Sequence, residues 1–198
     1  ESGPWLEHEL VRGAHLAGAS CVSVGVLPTP AVAYLTRELG FDAGVMISAS
    51  HNPFEDNGIK VFSGRGGKLE DRLEAQIESM VADPSWRLAD GESAPPDAQD
   101  LADRYVAHVR HALPDPETMG PHRLALDCAN GAMSLVAPRV FRELGFDVVA
   151  TACAPDGRNI NRDCGSTHPE ALARMVPENG CRYGVAFDGD GDRAILVD

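Results

Sequence analysis

Apolar residues along this chain fall into short runs whose spacing changes with position. Leu6, Leu10 and the run to Leu16 share one face at helical spacing and predict an amphipathic helix. Cys21 to Val26 is a short β-branched run, which predicts a strand. Pro28 and Pro30 interrupt it, and Val32, Leu35 and Leu39 then return to helical spacing with Gly40 as the stop. Gly44 to Ser48 predicts a second, buried strand. Ser48 to Asn57 is polar, contains Pro53, and reads as a loop. A strand over Ile59 to Phe62 and a helix over Leu69 to Val81 complete this part.

The pattern then lapses. Asp83 to Asp97 holds Pro84, Gly91, Pro95 and Pro96 with little periodicity and reads as a loop or linker. A helix from Gln99 to Ala112 leads to a second break at Pro114, Pro116 and Pro121. The alternation resumes with a strand over Arg123 to Asp127, a helix over Ala132 to Leu144 and a strand over Asp147 to Ala150. A polar loop from Pro155 to Pro169, a helix over Glu170 to Val176 and a strand over Tyr183 to Phe187 follow. Strands alternating with helices predict an α/β protein of two domains, with mixed, mostly parallel sheets flanked by helices. The expected divisions are residues 1–96, a linker helix and loop over 97–120, and 121–198.

Composition narrows the function. With 43% hydrophobic and 24% charged residues in 198, the chain can bury a useful core. A net charge of −13 repels nucleic acid and anionic membranes, so neither is expected as a partner. It would repel an anionic substrate as well, so a phosphate ligand would need local positive charge from a metal or from clustered Lys, Arg and His. Cys21, Cys128, Cys153, Cys164 and Cys181 form no C-x-x-C pair, which argues for reduced thiols in a cytoplasmic protein. No apolar run approaches the length of a membrane span.

Two loops carry the chemistry. Ser48-Ala-Ser-His-Asn-Pro53 follows a strand, where α/β sheets collect ligands. Ser50 could serve there as a nucleophile, with His51 handling its proton or steadying a phosphate, and Lys60 supplying charge or acting as acid or base. A Ser-His pair in a polar loop, followed by an Asn-Pro turn, is also compatible with no chemistry at all. A hydrolase triad fits poorly, because no G-x-S-x-G is present.

In the second loop, Asp188, Asp190 and Asp192 alternate with Gly189 and Gly191 after an apolar strand. If the segment is extended, residues two apart share a face and the carboxylates converge. Such acids repel unless a cation sits between them, and a hard divalent ion suits oxygen ligands. A calcium loop of the EF-hand type also begins D-x-D-x-D, but it wants glycine where Arg193 stands and a helix where a strand is expected. A solvated acidic turn is the other alternative. Arg193 could brace the acids or reach a phosphate oxygen.

Taken together, Gly44-Val-Met-Ile-Ser-Ala-Ser-His-Asn-Pro53, Asp56-Asn-Gly-Ile-Lys60 and Asp188-Gly-Asp-Gly-Asp-Arg193 resemble the α-D-phosphohexomutase superfamily. Gly25 to Tyr34, Asp156-Gly-Arg-Asn-Ile-Asn161 and Cys164-Gly-Ser-Thr-His-Pro-Glu170 are similar to its bacterial phosphoglucosamine mutase branch, which serves amino-sugar and cell-wall precursor synthesis. The resemblance covers nearly the whole chain and is least informative over Asp83 to Met119. It implies that Ser50 carries the phosphoryl group, that His51 is its motif neighbour, and that Lys60 transfers protons. It also implies that Asp188, Asp190 and Asp192, with the phosphate on Ser50, hold Mg²⁺, and that Arg193 closes the metal loop.

The implied reaction interconverts glucosamine 6-phosphate and glucosamine 1-phosphate through a bisphosphorylated sugar, so a phosphorylated hexosamine is the expected partner. A phosphomannomutase or phosphoglucomutase is the nearest alternative, and a non-catalytic divalent-metal module is the alternative of another class. Superfamily members have four domains, so the first domain here is expected to be incomplete and the second nearly complete. A fragment of that kind should be inactive alone and should leave a sheet edge or apolar face open.

Overall fold

The computed structural model describes residues 1–85, 96–112 and 122–198. The expected breaks at Pro114, Pro116 and Pro121, and most of the expected linker between Asp83 and Asp97, lie outside the described residues.

The elements run α1 (Gly3–Leu16), β1 (Val22–Ser23), α2 (Thr29–Glu38), β2 (Ala43–Ser48), β3 (Gly58–Ser63), α3 (Asp71–Ala82) and β4 (Asp97–Ala98). They continue with α4 (Ala102–His111), β5 (Arg123–Asp127), α5 (Met133–Glu143), β6 (Asp147–Thr151), α6 (Glu170–Glu178), β7 (Tyr183–Phe187) and β8 (Ala194–Val197). The sheets are mixed and flanked by helices, as expected. In the first half β2 and β3 form an antiparallel pair and β1 pairs in parallel with β4. In the second half the order is β6-β5-β7-β8, with β5 parallel to both neighbours and only β8 antiparallel.

The second half owes its order to one strand apolar on both faces. Leu124, Ala125 and Leu126 of β5 are all buried, as a central parallel strand covered on both sides requires. Leu124 and Leu126 pack with Val136, Ala137 and Val140 of α5, while Ala125 packs with Leu172 and Val176 of α6 on the opposite face. Truncating Leu124 or Leu126 to alanine would cost about 2–5 kcal/mol. The larger cluster does not stop at α5: it continues through Tyr105 and Val106 of α4 to Leu27, Ala31 and Leu35 around α2. Tyr34 of α2 stacks on His108 of α4 with ring centroids 3.8 Å apart. One apolar core therefore joins the two halves and holds their loops at fixed spacing.

Three expectations are corrected. The strand expected over Cys21 to Val26 shrinks to Val22–Ser23, because only two rungs are paired and Gly25 turns the chain at φ 67°. The strand over Gly44 to Ser48 is not buried throughout: Gly44 is buried and Val45 exposed. Its environment explains this. Neither β1 nor β2 shares a ladder with the other, and an apolar cavity of about 540 Å³ opens beside them, lined by Leu10, Val11, Val22, Val24, Leu35 and Ile47. Finally, β8 has no counterpart among the expected elements, although Ala194 to Val197 is an apolar run of strand length.

Candidate functional site

The Asp188–Arg193 loop is the connection between antiparallel strands β7 and β8, whose last and first residues, Phe187 and Ala194, are register partners. The carboxylates converge because this hairpin loop curls, with Gly191 at φ 70°, and not because the segment is extended. A side chain on Gly191 would also strike Met133 at 2.5 Å. Oxygens of Asp188, Asp190 and Asp192 all lie within 4.8 Å of one another. Asp188 and Asp190 are buried and Asp192 is exposed.

The bonds inside the cluster are uneven. Asp190 Oδ2 accepts from Thr29 Oγ1 at 2.5 Å and from Lys60 Nζ at 2.6 Å. Lys60 Nζ also donates to Asp192 Oδ2 at 2.8 Å. Asp188 Oδ1 accepts from the Arg193 backbone N–H at 3.1 Å. Of the other oxygens, Asp192 Oδ1 faces Arg193 Nε at 3.8 Å, and Asp188 Oδ2 and Asp190 Oδ1 are buried without hydrogen-bond partners. Two orphaned carboxylate oxygens in an all-oxygen donor set fit a hard divalent cation, and such atoms are costly to bury otherwise.

The electrostatics agree. Burial pushes the Asp188 carboxyl above its ordinary range, and the charges of Asp190 and Asp192 push it further, against the opposing Arg193 N–H. For Asp190, burial acts upward but is outweighed by the hydrogen bonds from Lys60 and Thr29, which hold it below the usual carboxylate range. Burial alone would depress the Lys60 ammonium. The bonds to Asp190 and Asp192 reverse that and raise it, so Lys60 stays charged at neutral pH.

Ser50 sits on the loop between β2 and β3, in the left-handed region at φ 55°. Its backbone N–H donates to Ser48 Oγ at 2.7 Å. Its carbonyl accepts from the Gly189 N–H at 3.1 Å, in the middle of the acidic loop. The serine loop and the aspartate loop therefore touch directly. A Cβ on Gly189 would lie 2.6 Å from that same carbonyl oxygen, so glycine is required for the approach.

The structure brings Ser50, Lys60, Asp188, Asp190, Asp192 and Arg193 into one locality. The Arg193 guanidinium Nε lies 3.8 Å from both Asp188 and Asp192 and is about half exposed, free to turn toward an anion. His51 faces elsewhere: it lines an adjoining cavity of about 380 Å³ with Arg162, Thr167 and His168, and its Nδ1 is buried without a partner.

Sequence reasoning missed Thr29 and Asn161. Thr29 holds Asp190 twice, through Oγ1 and through its N–H to the Asp190 carbonyl at 2.8 Å. Asn161 donates to the carbonyls of Ser50 and Asn52, both at 2.8 Å. Both lie inside stretches that carried the resemblance, but no spacing rule ties either residue to a loop so far along the chain.

Comparison with known proteins gives a consistent result. The family described as phosphoglucomutase/phosphomannomutase, alpha/beta/alpha domain I, matches residues 1–87, and domain II of the same family matches residues 103–198. A phosphoglucosamine mutase of Syntrophus aciditrophicus is 47% identical over 203 residues, covering 100% of this chain and 45% of its own length. One from Rhizobium etli is 50% identical over 200 residues, covering 100% and 44%. This chain thus spans less than half the length of the curated relatives it matches. Among solved structures, a phosphoglucomutase/phosphomannomutase family protein from Burkholderia thailandensis superposes with a TM-score of 0.79 at 30% identity, over 99% of this chain and 44% of that one. An Aspergillus fumigatus N-acetylphosphoglucosamine mutase, solved with GlcNAc-6P and magnesium, shares the fold alone at 19% identity and a TM-score of 0.56.

Proposed function

Because the chain belongs to the phosphoglucomutase/phosphomannomutase family, we propose that it forms the phosphoryl-carrying part of a phosphoglucosamine mutase. In this reading residues 1–96 carry the serine unit, 97–120 the linker and 121–198 the metal-loop unit. The carrying observation is the direct contact between the Ser50 carbonyl and Gly189 in the acidic loop. It joins the serine loop to the acidic loop, which supports a hydroxyl that carries phosphate working together with carboxylates that hold a cation. The choice of an amino sugar over glucose or mannose is supported by the names of the relatives at 47% and 50% identity.

In the forward half-reaction the phosphorus–oxygen bond to Ser50 Oγ breaks and a bond to O1 of glucosamine 6-phosphate forms, giving the 1,6-bisphosphate. In the second half the group on O6 returns to Ser50. In each half the attacking hydroxyl, sugar O1 and then Ser50 Oγ, loses one proton, and the departing oxygen, Ser50 Oγ and then sugar O6, gains one. Lys60, held protonated by Asp190 and Asp192, would give a proton to a departing oxygen and offset charge on the transferring group. Arg193 can reach an equatorial phosphate oxygen with its exposed fork. His51 is the serine's neighbour on the same loop, and its ring lines the adjoining cavity with Arg162, Thr167 and His168. Asp188, Asp190, Asp192 and the phosphate on Ser50 would hold Mg²⁺, which supplies charge neutralisation in phosphoryl transfer. The partner is a phosphorylated hexosamine, and the reduced thiols suit the cytoplasm. Among the described residues no helix is long and apolar enough to cross a membrane.

The test uses the complete protein. Glucosamine 6-phosphate, mannose 6-phosphate and glucose 6-phosphate are compared as substrates, and mass spectrometry locates phosphate on the wild type and on Ser50→Ala. The expected result is phosphate on Ser50, preference for the amino sugar, and turnover abolished in the variant. Undiminished turnover in Ser50→Ala, or an unmodified serine with a strong preference for Ca²⁺ over Mg²⁺, would refute it.

A further inference from the structure

We infer that Asn161 is a positioning residue, which clamps the Ser50 loop onto the acidic loop through its side-chain amide. The inference rests on the mutase reading for its meaning in turnover, while the clamp itself rests on geometry alone.

Asn161 is buried, with 7% exposure, and lies in the long loop between β6 and α6. Its Nδ2 donates to the Ser50 carbonyl and to the Asn52 carbonyl, each at 2.8 Å. An amide nitrogen carries two hydrogens, so both are spent on the serine loop. The opposite amide orientation would point an oxygen at two carbonyl oxygens, so the chemistry leaves one choice. The Ser50 carbonyl is thus held twice by residues distant in the chain, once by Asn161 and once by the Gly189 N–H.

The serine loop needs such a hold. Ser50 has φ 55°, a conformation that non-glycine residues rarely keep unless surrounding contacts enforce it. Releasing its carbonyl would free the residue to relax, and its hydroxyl would swing with it. Asn161 is in turn rigidly mounted. It adopts φ 57°, which asparagine tolerates better than most residues. Its own N–H donates to the Ala129 carbonyl at 2.9 Å. The buried Asp127 carboxylate accepts from the N–H groups of Ala129 at 2.9 Å and Gly165 at 2.8 Å, tying together the two segments on which the clamp stands. Next to it, Ile160 lies 2.6 Å from where a Cβ on Gly189 would be, so the same short segment touches both chemical loops.

The decisive variant is Asn161→Gly. Glycine suits the positive φ and keeps the backbone bond to Ala129, so only the two side-chain bonds disappear. Asn161→Asp is the second variant: similar in size, it cannot donate and sets a carboxylate against two carbonyls. Hydrogen exchange followed by mass spectrometry on the complete protein reads the clamp directly. In both variants amides of residues 49–57 should exchange at least tenfold faster, with those of β5 and β7 unchanged. In the complete protein, kcat for glucosamine 6-phosphate should fall at least tenfold with KM within threefold of wild type. Unchanged exchange over residues 49–57 would overturn the clamp. Faster exchange with unchanged kcat, or a loss of kcat that only tracks global unfolding, would overturn its positioning role. If the wild-type complete protein turns over no sugar phosphate, the mutase reading fails, while the exchange result still decides whether the clamp exists.

Discussion

A methyl group at position 131 would stand 2.1 Å from the Gly189 carbonyl oxygen and 2.7 Å from its carbonyl carbon and Cα. All three atoms are backbone, so no side chain can turn aside. Ordinary contact needs more than 3 Å, so one of the two loops must retreat by about 1 Å. The bond from the Ala132 N–H to that same carbonyl, 2.8 Å long, would be stretched or lost. Losing it costs about 1 kcal/mol and the overpacking about 1–3 kcal/mol, so Gly131→Ala should lower stability by about 2–4 kcal/mol. The larger consequence falls on the proposed cation site. Mg²⁺ demands ligands near 2.1 Å in close to octahedral geometry, and displacing the loop that bears the carboxylates by about 1 Å should cut affinity at least tenfold. Urea denaturation and Mg²⁺ calorimetry on the same samples measure both effects. Gly13→Ala is the matched control: it lies within α1 with nothing within 4 Å of its Cβ position, so it should stabilise by up to about 1 kcal/mol through helix propensity. A Gly131→Ala protein within 0.5 kcal/mol of wild type and within twofold in Mg²⁺ affinity would refute the reasoning.

Other expectations concern charge and sulfur. Lys60→Met leaves the buried Asp190 with one donor in place of two. It should cost about 1–3 kcal/mol in denaturation without metal, the lower part of the buried-pair range because Lys60 is one-third exposed, and saturating Mg²⁺ should narrow the gap. Asp188 has a raised pKa in the fold, so its ionisation opposes folding as pH rises from the ordinary value of 3.8 through the raised one. Asp188→Asn should therefore be more stable than wild type at pH 7 without metal and equal to it below that window, while losing Mg²⁺ binding; equal stability at both ends would contradict the assigned burial cost. Asp190 has the opposite sign: its lowered pKa gives stability above 3.8 that is lost as pH falls through the lowered value. Among the thiols, the Cys128 S–H bond lowers the Cys153 pKa despite burial, whereas burial raises Cys164 to about 11 and the Cys153 partnership and burial raise Cys128. Peptide mapping after brief iodoacetamide treatment at pH 8 should find Cys153 labelled before Cys128 and Cys164, and the reverse order would count against this arrangement.

Much of the second half was legible because its signals are local. The runs of β5 and β7, the helical faces of α5 and α6, and the D-G-D-G-D stretch each announce themselves within a few residues. The first half was less so. β1 depends on Asp97–Ala98 for its pairing, and the exposure of β2 depends on which neighbours it lacks, neither of which a window of residues can contain. The site followed the same division. Residue types in the two motif loops pointed to Ser50, Lys60 and the aspartates, but not to how they meet. Thr29 reaches Asp190 across 161 positions and Asn161 reaches Ser50 across 111. Such partners follow from tertiary packing, not from periodicity.

Those separations bear on how the protein matures. A nascent chain emerging in order exposes the Ser50 segment well before Asn161 and Gly189 have been synthesised. Until they arrive its carbonyl can bond only to water, and the left-handed turn at Ser50 has nothing to enforce it. On the proposed function, readiness of Ser50 to accept a phosphoryl group would be a late event, coupled to the folding of the second half. Any lesion that slows that folding should also leave the Ser50 turn without the two bonds that hold its carbonyl.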